Sequence, residues 1–125
     1  MKDLVALSNR IVAAYNAKDF DTLKSLVHPD LDFSHVNRGF SYSKRDDLIA
    51  VLQMFAGELM PDRQMGKLER SVVDGDVIVR VASWGGTARA DIPGFGSAGD
   101  RIGITICSIL RFDDAGLLVE WKDFG

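Results

Sequence analysis

Lys67-Leu68-Glu69-Arg70-Ser71-Val72-Val73-Asp74-Gly75-Asp76-Val77-Ile78-Val79-Arg80-Val81-Ala82-Ser83-Trp84 is where the chain changes its period. Upstream of it, apolar residues recur at three- and four-residue spacings. From Lys67 onward they alternate, as strand residues do. Residues 68–73 and 77–84 flank Asp74-Gly75, whose residues tolerate positive φ, so the stretch predicts a β-hairpin. Gly85-Gly86 loosens the end of the second strand, and residues 90–99 form a glycine-rich loop around Pro93, a candidate lid. Residues 101–112 alternate again, with Ile102, Ile104, Ile106, Ser108, Leu110 and Phe112 on one face. The opposite face holds Arg101, Gly103, Thr105, Cys107, Ile109 and Arg111. Asp114-Ala115-Gly116 then turns the chain into a last strand, residues 117–124.

Before Lys67 the signals are helical. Asp3 is placed to cap a helix carrying Leu4, Leu7, Ser8, Ile11, Val12 and Tyr15 on one stripe, broken by residues 16–18. Asp19 caps a short second helix with Phe20, Leu23, Leu26 and Val27 inward, stopped by His28-Pro29. Residues 31–36 read as a strand with Leu31, Phe33 and His35 on one face, followed by a loop over 37–42. Ser43 with Asp46 resembles a capping box and opens a third helix, whose stripe is Leu48, Val51, Leu52, Phe55 and Leu59 and which ends by Pro61. The resulting order, α-α-β-α-β-β-β-β, predicts one α+β domain over residues 1–125. Its curved sheet is antiparallel or mixed, with three helices from the N-terminal half packed on one face.

Composition narrows the function classes. At 125 residues, 46% hydrophobic and 26% charged, the chain has the balance of a soluble globular domain. A net charge of -3 argues against a nucleic-acid or anionic-membrane surface, since both call for a basic excess. One cysteine, Cys107, leaves no partner for an internal disulfide, and with two histidines makes a poor stock for a metal site. No apolar run approaches the ~20 residues of a membrane helix, and Met1-Lys2-Asp3 does not open a signal peptide. The expectation is a cytoplasmic domain with a small-molecule ligand.

Four segments carry a resemblance. They are Tyr15-Asn16-Ala17-Lys18-Asp19-Phe20-Asp21, Val27-His28-Pro29-Asp30-Leu31-Asp32-Phe33, Pro93-Gly94-Phe95-Gly96 before Gly99-Asp100-Arg101, and Leu110-Arg111-Phe112-Asp113-Asp114-Ala115-Gly116 before Val119-Glu120-Trp121. In this order and spacing the chain resembles the nuclear-transport-factor-two-like superfamily, and within it the SnoaL-like polyketide cyclases and ketosteroid isomerases. The resemblance implies a cone whose sheet wraps around a pocket closed by the helices, frequent homodimers through the outer sheet face, and no cofactor.

The candidate site residues follow from both lines. His35 shares a face with Leu31 and Phe33 and so points inward, where an imidazole can act as acid or base. The resemblance places a ketosteroid isomerase base, an Asp, at this position. Glu120 and Lys122 face the same way around Trp121, at the spacing where the SnoaL-like cyclases carry a His and a catalytic Asp. Alternation leaves the phase of this last strand open: Leu118 and Phe124 support one face, and Leu117, Val119 and Trp121 the other. Ser108 interrupts an apolar face where those isomerases carry an oxyanion-stabilising Asp, and Ile11 stands where they carry a Tyr. A steroid isomerase activity is thereby disfavoured. Tyr15 offers a phenol one turn away, and Phe33, Phe55, Trp84 and Phe124 are candidates to line an aromatic pocket.

Two readings remain. One is an enzyme of isomerase, cyclase or dehydratase type on a small, largely apolar carbonyl or cyclic ligand, with His35 moving the proton and Glu120 and Lys122 orienting the substrate. The other is a non-catalytic ligand-binding or dimerisation module on the same scaffold.

Overall fold

The structure is a computed structural model and describes residues 2–125. Helix α1, Leu4–Asn16, starts at Asp3, whose carboxylate accepts the Ala6 amide at 3.0 Å, and buries Leu4, Ser8, Ile11, Ala14 and Tyr15. Lys18 takes a positive φ of 57°, turning the chain to Asp19, which caps α2, Phe20–Ser25, through the Thr22 amide. Strand β1 then runs over Val27–His35, earlier than the 31–36 expected. It accommodates Pro29 because its pairing register slips between Val27 and Asp32, where no ladder bond is asked of the proline. The expected loop at 37–42 contains a turn of 3-10 helix, Val36–Arg38, and a short strand β2, Phe40–Tyr42. Helix α3, Arg45–Met54, begins behind Lys44 without a side-chain cap, so Ser43 does not play the capping role its spacing suggests. It continues as a π-helical turn, Phe55–Leu59.

The second half is a meander: β3 Gln64–Asp74, β4 Val77–Thr87, β5 Arg101–Phe112 and β6 Leu118–Phe124. The hairpin loop is Gly75-Asp76, one residue later than expected, because Asp74 pairs with Val77 and Gly75 alone takes the positive φ, 62°. Gly85 and Gly86 stay paired within β4 rather than loosening its end. The sheet order is β2-β1-β6-β5-β4-β3. All neighbours are antiparallel except β1 and β6, which run parallel. The sheet is thus mixed and open, with β2 and β3 as its edges, and with the three helices it forms the expected α+β architecture. No helix among the described residues is long and apolar enough to cross a membrane.

On β5 the inner face is the one read from alternation: Ile102, Ile106, Ser108, Leu110 and Phe112 are buried. Two apolar clusters fill the interior. One joins the helices to Leu31, Phe33, Leu110, Phe112, Leu118 and Trp121. The other gathers Tyr15, Met60, Met65, Trp84, Ile92 and Ile102 toward the far end of the meander. The cavity described next is walled by members of both.

Candidate functional site

The register of the sheet lines up four inward polar residues. His35 on β1 pairs with Asp123 on β6, Asp123 with Ser108 on β5, and Ser108 with Arg80 on β4. All four are buried. His35 and Asp123 open onto a cavity of about 70 Å³, whose remaining wall is mostly aromatic and aliphatic, including Phe33, Phe40, Tyr42, Phe55, Trp84 and Trp121. Ser108 and Arg80 wall a smaller adjoining cavity of about 20 Å³, and the two share Tyr15, Met65, Ile106 and Trp121.

Asp123 is strongly perturbed by its surroundings. Burial pushes its carboxyl up to about 6, while hydrogen bonds from Ser108 Oγ at 2.5 Å and Trp121 Nε1 at 2.8 Å pull the other way. Both donors fall on Oδ1, so Oδ2 is left for a ligand. His35 is shifted down, by burial first and the nearby Arg38 charge second, which keeps its imidazole neutral at pH 7. Its Nδ1 is buried with no hydrogen-bond partner.

Tyr15 supplies a third polar atom. Its oxygen accepts the Trp84 indole N–H at 2.7 Å, so its own O–H is free to donate. Burial raises its pKa, and the Arg63 guanidinium, centred 3.9 Å above the ring, and the Trp84 bond oppose that rise. Arg63 is only 3% exposed and is held by one bond to the Tyr15 carbonyl, with Nε and Nη1 unpartnered.

The glycine-rich loop contributes Phe95, whose ring lies 5.5 to 5.9 Å from those of His35, Phe40, Phe55 and Trp84. Arg38 stacks 4.8 Å over it and binds the carbonyls of Gly94 and Gly125. Phe95 therefore closes one side of the cavity. Phe95→Ala is expected to cost about 2 kcal/mol, since the ring is only half-buried, and to increase acrylamide quenching of Trp84 fluorescence. Unchanged quenching would show that the ring shields nothing.

Of the residues singled out from sequence, Tyr15, Phe33, His35, Phe55 and Trp84 wall the larger cavity and Ser108 the smaller. Glu120, Lys122 and Phe124 belong to neither and lie on the outer face of β6. The reason is a β-bulge. Arg111 and Phe112 pair with Glu120 and Leu118, so Val119 is an extra residue, and Leu118 and Trp121 both point inward despite their odd spacing. Past the bulge Trp121 and Asp123 share the inner phase. The acid in the cavity is thus Asp123 instead of the Glu120–Lys122 pair. Its signal was its two-residue spacing from Trp121. Phe40, Tyr42 and Phe95 had no periodic signal, because they come from loop-like sequence. Among the described residues, no three of His, Cys, Asp and Glu gather as a metal site.

An α+β cone that encloses an apolar cavity with a few convergent polar groups is the architecture of a small-molecule binding or catalytic domain. The chain belongs to the SnoaL-like domain family, whose model matches residues 9–121. Similar solved structures include TsrD of Streptomyces laurentii, at 25% identity and TM-score 0.76, covering 98% of this chain and 90% of that one. IdmH of Streptomyces antibioticus, a candidate polyketide cyclase, gives 21% identity and TM-score 0.79 over 98% and 91%. An LEH-like epoxide hydrolase of M. tuberculosis gives 19% and 0.73 over 95% and 79%. No curated protein sequence matches the chain.

Proposed function

We propose that the domain catalyses proton transfer next to the carbonyl of a small, largely apolar compound, the step that isomerases, aldol-type cyclases and dehydratases share. The observation that carries this reading is the pairing of Asp123 and His35 on neighbouring strands in one apolar cavity, with Asp123 Oδ2 uncommitted. With its carboxyl near 6, Asp123 is mostly ionised at pH 7 yet basic enough to take a proton. The C–H bond α to the carbonyl breaks, its proton goes to Oδ2, and its electron pair moves to the carbonyl oxygen as an enolate. The Tyr15 O–H donates to that oxygen, and Trp84 and Arg63 support the charge. Neutral His35 relays a proton to or from a second position on the ligand, the acid–base role its sequence position suggested. The aromatic wall favours flat or cyclic ligands.

The test is deuterium exchange at the α-carbon of phenylacetone and related aryl ketones in D2O, followed by NMR. Wild type is expected to accelerate exchange, Asp123→Asn to lose about 100-fold or more, and His35→Ala to lose less. Ketone binding, seen as a thermal shift, with no accelerated exchange would support the non-catalytic binding module instead.

A further inference from the structure

Arg80 is a buried charge that this acid–base reading leaves unused. It is 5% exposed on the inner face of β4, where burial works against its charged form. Both of its hydrogen bonds leave from Nη1, to Ser8 Oγ and to Asn9 Oδ1, and both acceptors are neutral. Among the described residues, the ion pairs at 4 Å or less join other partners, and none involves Arg80. The Nε–Nη2 edge, which grips a carboxylate through two parallel N–H···O bonds, is left uncommitted. A buried cation without a counter-charge is costly, and a ligand anion is what would relieve it. Arg80 walls the smaller cavity together with Ser108 and otherwise mainly apolar side chains, next to the larger cavity that holds Asp123 and His35.

We infer that Arg80 anchors a ligand carboxylate in the smaller cavity, so that the ligand is a carboxylate-bearing carbonyl compound with its apolar body in the larger one. The carbonyl half of this statement rests on the proton-transfer reading; the carboxylate half stands on Arg80 alone. A purely structural Arg80, tying α1 to the sheet through Ser8 and Asn9, would lower stability on mutation without any dependence on anions.

The two halves are tested separately on the full chain. Sodium formate, against sodium chloride at equal ionic strength, is expected to raise the melting temperature of wild type and not of Arg80→Met. In titrations, 4-oxo-4-phenylbutanoate is expected to bind about tenfold tighter than its methyl ester, and Arg80→Met to bind both as wild type binds the ester. Arg80→Lys keeps the charge without the fork and should retain only part of the preference; it carries the test if Arg80→Met does not fold. Equal binding of acid and ester by wild type, or a formate shift that survives undiminished in Arg80→Met or in Arg80→Lys, would overturn the assignment. Loss of ester and ketone binding with the formate shift intact would instead overturn the carbonyl reading and leave Arg80 standing.

Discussion

Asp123→Asn is expected to make the protein more stable at neutral pH while ending proton transfer. The carboxyl titrates near 3.8 when the chain is unfolded and near 6 when it is folded. Between those values the folded state holds a proton that the unfolded state has released, so stability falls as pH rises. The full penalty, about 3 kcal/mol, is present above roughly pH 6. Asparagine keeps an Oδ1 acceptor for Ser108 and Trp121 and carries no charge into the cavity. The variant should therefore melt roughly 10 °C higher at pH 7.5, with the gain shrinking to nothing near pH 4. Thermal unfolding of both proteins across that range checks it, and a pH-independent difference would show that Asp123 does not titrate near 6. A site that keeps a destabilising ionised acid does so for its chemistry, and the same variant should be the one that stops α-proton exchange.

Gly85→Ala and Gly103→Ala are expected to differ sharply, although the two glycines face each other across the β4–β5 ladder. A Cβ on Gly85 would sit 2.3 Å from the Ile102 carbonyl oxygen and 3.3 Å from the Gly103 Cα, both backbone atoms that cannot rotate away. A Cβ on Gly103 would meet nothing within 4 Å. The first substitution should cost about 3 kcal/mol, lowering the melting temperature by roughly 10 °C. The second should change stability by less than about 1 kcal/mol, with a small gain through the unfolded chain. Gly85 follows Trp84, so the shift it forces would also loosen the Trp84–Tyr15 hydrogen bond and alter tryptophan emission. Similar melting temperatures for the two variants would overturn this account of the ladder.

Much of the architecture was legible because it is written in local spacing. The α1 stripe, the Asp3 and Asp19 caps, the hairpin glycine, the inner face of β5 and the inward turn of His35 all follow from contacts within a few residues. The candidate site was legible only in part. Tyr15, Phe33, Phe55 and Trp84 could be read because each lies on an element with an unambiguous face. Phe95 could not, since a glycine-rich loop has no face until it folds against one. Strand β2 was hidden in the same way: Phe40–Tyr42 is too short for a periodicity and is extended by its pairing with β1.

The sequence by itself determined the order of the three helices and the five longer strands, the α+β class, the family and the inner faces of α1, α2 and β5. All of these depend on side-chain periods of 3.6 or 2 and on turn chemistry, which act between near neighbours. Only the tertiary structure decided which acid enters the cavity, because the bulge at Val119 resets the phase of β6 and is specified by its ladder with β5. It also decided that His35 meets Asp123, through the parallel pairing of two strands at opposite ends of the chain. The free edges of Asp123 and Arg80 were set in the same way, by donors and acceptors brought from β5 and α1. Alternation ranks the two faces of a strand, and long-range pairing chooses between them when both are half apolar.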